Sequence, residues 1–371
     1  MAHHSVLTIL PRFLWKPIFD SLSVIELKKL SSMRTFTNLF TDAYCKELIL
    51  SNKTGKIKVI RANENRIDNF WIHAYNTYVE YDCLIDMMQS IRQKTKEFIY
   101  ITVFIQPGKY DNHYYYDFGY RKCNISINGS KTGQTDFCSA YNQQHTYNYL
   151  PHCLSLKNIV YMSDCCINTY RHPNKTGSII LSNCIFNRKF FLQSTRHSTI
   201  SNCTFNGFSI MSLIQYLTMS YCVFDCQAEY DVQHLVIIKC ILNSQTNTVV
   251  YCNKDSTIEF NNNTITQTTS IMSLIGLKNN TIKIHNNIIL DVDACISFYK
   301  YKPIHGENYF LMQNNSITNM PHKYNRINYA GVTINISKKI NTRILSKCKF
   351  ILDNSNTLTN CGFTVDADTK I

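Results

Sequence analysis

A six-residue string recurs along this 371-residue chain: apolar, polar, polar, Cys or Asn, any residue, apolar. It returns as MSDCCI, LSNCIF, ISNCTF, MSYCVF, IIKCIL, FNNNTI, IHNNII, MQNNSI and LSKCKF. The fourth positions are Cys165, Cys184, Cys203, Cys222, Cys240, Asn263, Asn287, Asn315 and Cys348, and their spacing starts at 19 residues and lengthens to 33 toward the C-terminus. Each copy brackets a short polar turn with large apolar residues, and none holds the ten-residue stretch of 3.6-residue period that helical repeats need. So short a unit cannot bury its own apolar face and must stack on copies of itself, which describes a parallel β-solenoid rising ~4.8 Å per rung. Equivalent positions then lie above one another, so the cysteines are expected as an internal thiol column. One residue earlier, Asn183, Asn202, Asn262, Asn286 and Asn314 suit a left-handed turn. Three residues later, Asn168, Asn187, Asn206, Asp225 and Asn243 are expected to ladder along a corner.

The compartment decides how 16 cysteines are read. The first twenty residues lack a secretory signal, and no stretch approaches the ~20 apolar residues of a membrane span. A soluble, intracellular protein is expected, in which thiols persist as small buried hydrophobes without disulfides. No Cys-x-x-Cys occurs, and a column offers one thiol per layer instead of a tetrahedral cluster. Cys222, Cys226 and His234 come nearest to a metal set, without the spacing to hold one.

The net charge of +13 leaves only 25 acids for chemistry. Between 151 and 350 they are scattered, and only Asp291/Asp293 and Asp225/Glu229/Asp231 gather. β-Solenoid hydrolases and lyases need clustered carboxylates or calcium ligands. His305-Gly306 lacks acidic companions, and no glycine-rich loop marks an ATP or nicotinamide site. A non-enzyme is expected, with no catalytic, cofactor or metal residues. Basic residues are dispersed, as at Lys28-Lys29 and Lys338-Lys339, so direct nucleic-acid recognition is not expected.

Three regions follow: 1–50 as a small helical module, 51–97 as a linker with a capping helix, and 98–371 as the solenoid. In the second, Leu84, Met88 and Ile91 mark an amphipathic helix over 82–95, which would close the open end of the stack. YITVFIQPGKY and CNISINGSKTG then read as strands parted by Pro107-Gly108 and by glycine-containing turns. Wide spacings place insertions at about 291–310 and 319–344, where a partner would be read.

In the first module, Ser23-Val24-Ile25-Glu26 is a capping box, so a helix should start after Ser23 and run through Leu27 and Leu30. Leu10-Pro11, Ile18-Phe19, Leu22, Leu27, Leu30, Met33, Phe36, Leu39, Asp42 and Tyr44 together resemble an F-box, with Tyr44 where that family usually has Trp. The resemblance implies a segment that docks on a Skp-type adaptor and joins a cullin ubiquitin ligase. Its partner-binding residues would be Leu10, Pro11, Ile18, Phe19, Leu22, Leu27, Leu30, Met33 and Phe36. The bland reading of the same stripe is a helical cap packed on the solenoid.

The helix, strand, Pro-Gly-x-Tyr, strand, Asn-Gly order resembles the start of pectin-lyase-like right-handed β-helices, from which the hand of the coil is taken. FIQPGKY at 104–110, CNISINGSK at 123–131, NCIFNRKFFLQSTRHSTISNCTFNGF at 183–208, SYCVFDC at 220–226, KIHNNII at 283–289 and KFILDNSNTLTNCGF at 349–363 are similar to the adenovirus large early-region 1B protein family (large T-antigen) and the related left-hand-end β-helical capsid proteins of atadenoviruses. The first implies a viral early protein of the host nucleus and cytoplasm that directs a host protein target to ubiquitin-dependent degradation. The second implies a trimeric, capsid-cementing protein of the virion, in contact with other capsid proteins.

Overall fold

The computed structural model describes residues 17, 21–22, 24–32, 40–50, 56–62, 70–94, 100–111, 115–117, 123–138, 144–148, 152–168, 177–243, 248–267, 272–291, 296–298, 304–318, 327–329, 332–336, 348–352 and 355–359. The protein is mainly β, with long parallel sheets compatible with a solenoid. Among the described residues, four helices of eight or more residues precede the stack: α1 (Val24–Ser32), α2 (Asp42–Leu50), α3 (Phe70–Thr77) and α4 (Leu84–Lys94).

An eleven-stranded sheet gives the register most simply. Its two- to four-residue strands pair in parallel, so that Tyr161 lies on Phe186, Phe186 on Phe205, Phe205 on Phe224 and Phe224 on Leu242. These aromatic rings stack nearly face to face, with Phe205 and Phe224 4.6 Å apart at 7°. Farther along, Ile265, Ile289 and Ile317 continue the row. One inward residue per rung thus builds a continuous core, since a two-residue strand can turn only one side chain inward.

The expected thiol column exists and is completely buried over Cys184, Cys203, Cys222 and Cys240. Its Sγ atoms point at main-chain carbonyls, as in Cys203 Sγ to Ser201 O at 3.3 Å. Cys203 has its thiol pushed well above the ordinary range by its bonds to Cys184 and Cys222 and by burial. At residue 263 the column changes to asparagine. Asn263 Nδ2 and its main-chain N both donate to Asn287 Oδ1, at 3.0 and 2.8 Å, and Asn287 repeats the pair onto Asn315. Asn315 hands the same pattern to Asn356, while each Nδ2 also reaches a main-chain carbonyl of a neighbouring coil. Buried amides are tolerated here because every donor has a partner.

All five expected turn asparagines are left-handed, with φ between 51° and 57°. Tyr221 and Lys239, at the same rung position, adopt it too, at 55° and 53°. The stack therefore imposes the conformation, and asparagine merely accepts it at least cost.

Register corrects the expected frame in three places. Cys165 lies in a different sheet, opposite Phe190 and His145, and the true earlier members of the column are Ile159 and Thr135, which a search for Cys or Asn passes over. Cys348 pairs with Asn308, so Asn356 ends the described column. In the corner ladder, Asn206 donates to Asn187 at 2.8 Å and Asn243 to Asp225 at 3.1 Å, but Met162 and not Asn168 stands next in line, bonded through its sulfur by Asn187. The segment 291–310, expected as an insertion, contributes Ile296–Phe298 to a rung, paired with Met272–Leu274. The segment 319–344 holds a hairpin of Ile327–Tyr329 against Val332–Ile336.

The linker over 51–97 contains an unforeseen strand, β1 (Ile57–Ala62). It pairs antiparallel with β2 (Val79–Tyr81) and along its whole length with β3 (Tyr100–Ile105), the first rung strand. An antiparallel strand laid on the first rung covers main-chain groups that would otherwise template aggregation. Helix α4 places Leu84, Met87 and Ile91 in the large core, whereas Met88, expected in the stripe instead of Met87, is only partly buried against it.

Two substitutions test the column. Asn287→Leu should cost about 3 kcal/mol or more in urea unfolding, because it strands the buried Asn263 main-chain N–H and one Asn263 Nδ2 hydrogen and takes a donor away from Asn315 Oδ1 and the Phe260 carbonyl. Cys240→Asn should change stability by less than about 1 kcal/mol, since an amide oxygen there can accept the Cys222 N–H that now points to Cys240 Sγ.

Candidate partner-binding site

Helix α1 begins at Val24, one residue after the expected cap, and Ser23 itself lies outside the described residues. Helix α2 follows Thr41, whose hydroxyl accepts the Tyr44 N–H at 3.3 Å, a helix N-cap. Asp42 does a second job at long range: its Oδ1 accepts the main-chain N–H groups of Trp71 and Ile72 at 2.7 and 3.2 Å. A carboxylate at the first turn of α3 satisfies orphan donors and opposes the positive end of the helix dipole.

These helices share a small core of their own. Leu27, 2% exposed, belongs to one buried cluster with Phe40, Cys45, Leu48, Ile49, Ala74, Tyr75 and Tyr78, which Ile60 of β1 also joins. Phe40 stacks on Tyr75 at 5.7 Å and 26° and tilts against Tyr44 at 6.0 Å. Burial, with Asp42 adding to it, pushes the Cys45 thiol up to about 12. Of the nine residues expected to bind a partner, Leu27 is fully committed to this core, while Leu22 and Leu30 pack against it and keep some surface. Leu10, Pro11, Ile18, Phe19, Met33 and Phe36 lie outside the described residues.

Strand β1 is the seam between the two cores. Ile57 and Val59 face the solenoid; Lys58 and Ile60 face the helices. The buried Lys58 ammonium donates to the Ile49 carbonyl at the end of α2. Burial pushes its pKa down to about 8, with Glu80 opposing the shift.

The other groups singled out in the sequence are not assembled into a site. Cys222 points inward, whereas His234 is stacked outside on Tyr216 at 4.6 Å and bonded to Thr257 at 2.7 Å. Among the described residues no three His, Cys, Asp or Glu side chains are grouped to hold a metal ion. Glu229 and Asp231 alternate outward along one strand; burial raises the Glu229 carboxyl. Asp225 accepts a corner amide, and Asp293 lies outside the described residues. His305-Gly306 is a packing turn: Gly306 has φ 66°, and a Cβ there would stand 1.8 Å from Asn279 Oδ1.

Comparison with known protein families, with curated proteins and with solved structures finds no match to this chain.

Two outcomes follow for the module. Leu27→Ala should cost about 2–5 kcal/mol locally, seen as lost amide protection in α1–α3 while the rung amides stay protected. For Lys58, the unfolded chain binds more protons than the folded one between pH 8 and 10.5, so this residue makes stability rise with pH across that window; below pH 8 the full cost of burying the charge remains. Measured against Lys58→Met, wild type should therefore gain about 2 kcal/mol from pH 7.5 to pH 9.5 in urea unfolding.

Proposed function

We propose that this is a non-enzymatic viral host-interaction protein. Its F-box-like N-terminus engages a Skp-type adaptor and cullin ligase, and its solenoid, a right-handed pectin-lyase-like β-helix, holds a host protein for ubiquitin-dependent degradation. The setting is the host nucleus and cytoplasm. The observation that carries the reading is a helical unit with a separate core, in which Leu27 is interior, Leu22 and Leu30 are half-exposed and Asp42 ties α2 to α3. A mere cap over the stack is already supplied by β1 and α4, so α1 to α3 have a use beyond sealing it.

A second reading has its own observation. On the outer face of the eleven-stranded sheet, Ile185, Ile241 and Ile288 share one column at 37%, 41% and 49% exposure, with Thr204, Val223 and Thr264 between them. Such a flat β-branched stripe suits self-association, the arrangement of a trimeric capsid-cementing protein of an atadenovirus-like virion.

The adaptor reading is tested by affinity purification from transfected cells of wild type beside Leu10→Ala/Pro11→Ala/Phe19→Ala. Wild type should recover Skp and cullin components and the triple variant at least tenfold less; failure of wild type to recover either removes the proposal. A trimeric mass in light scattering, together with the chain at capsid stoichiometry in purified virions, would put the second reading in its place.

A further inference from the structure

The seam between the helical module and the first rungs encloses a cavity of about 430 Å³, within the range of small-molecule sites. Four lysines line it, and no carboxylate does: Lys46 from α2, Lys58 from β1, Lys131 from the turn that follows one rung strand and Lys157 from the last position of the strand in the next rung. Among the described residues Lys46, Lys131 and Lys157 form no ion pair with an acid. Lys46 and Lys131 are exposed, Lys157 is half-buried and Lys58 is buried, so four like charges border one recess with no acid among them, and an anion relieves their mutual repulsion.

The remaining walls specify more than an anion. Trp71 and Phe104 form an aromatic side, their rings 5.3 Å apart, with Lys46 Nζ 5.6 Å from the Trp71 centroid. The turn 129–132 lines the same cavity. Gly129 packs so closely that a Cβ would fall 2.0 Å from the Asn158 carbonyl oxygen, and this brings the turn's hydroxyls, Ser130 and Thr132, to the cavity edge 3.1 Å from each other. Ammonium groups and hydroxyl donors suit a phosphate, while an aromatic wall suits a planar ring. The volume accommodates both on one molecule.

We infer that this cavity binds a mononucleotide, its phosphate held by Lys131, Lys157 and Lys46 and its base laid against Trp71. Because no glycine-rich phosphate loop is involved, the site is assembled from six separate segments and has no contiguous motif. It uses none of the residues assigned to the adaptor surface, so the two proposals stand or fall separately.

The test is titration of the full chain with AMP, followed by tryptophan fluorescence in a Trp15→Phe background, which leaves Trp71 as the reporter, and by thermal melting. AMP should give saturable quenching and a raised melting temperature. Adenosine and inorganic phosphate, each carrying half of the recognised chemistry, should bind at least tenfold more weakly. Lys131→Glu/Lys157→Glu should weaken AMP at least tenfold, and the milder Lys131→Gln/Lys157→Gln at least threefold without lowering the melting temperature of the unliganded protein. Absence of saturable quenching, AMP no tighter than adenosine or phosphate, or an affinity indifferent to both double variants would overturn the assignment.

Discussion

Register between rungs rests on one buried column, in which each turn hands a hydrogen bond to the next. Asparagine does this completely: its oxygen accepts from the adjacent rung's main chain and side chain, and its Nδ2 closes onto a carbonyl. Cysteine does it more weakly, with a thiol that donates to a carbonyl and receives an N–H at 3.3 Å. Either way the rungs cannot slip by a residue without stranding polar groups in a dry interior. Flat sheets, stacked rings and left-handed corners all follow from that fixed offset.

A stack so constrained has little freedom to build a reactive centre inside itself. Inward positions are taken mostly by Phe, Ile, Leu, Val, Met and Cys, with Asn in the later rungs of the column, and Glu229 and Asp231 point outward along one face. One interruption of the repeat is the N-terminal junction. There β1 carries two opposed faces, one feeding the solenoid core and one the helical core. The alternation of a single strand thereby joins two units and brings lysines from distant segments toward one recess.

Much of the rung was legible because it depends on local chemistry. Asn183, Asn202, Asn262, Asn286 and Asn314 announced left-handed corners, and the thiol column from Cys184 to Cys240 was visible as period alone. Cys165, Cys348 and Asn168 misled because a rung has more than one polar turn followed by an apolar pair, so the same string also fits a neighbouring corner. Thr135 and Ile159 escaped because the column asks only that a side chain fit, and near the N-terminal end no amide is needed. IKVIRA, the sequence of β1, has no repeat partner and gave no signal beyond a short apolar alternation.

Sequence alone determined that the chain must stack: a short apolar unit recurring without helical period has no other way to bury itself. It also marked α1 and α4, whose caps and stripes are local. Tertiary structure decided which corner each string occupies, that Leu27 turns inward, and that Lys46, Lys58, Lys131 and Lys157 share one cavity. These outcomes depend on the offset between coils and on an antiparallel pairing between segments some forty residues apart, and both are set by long-range hydrogen bonds that no local pattern encodes.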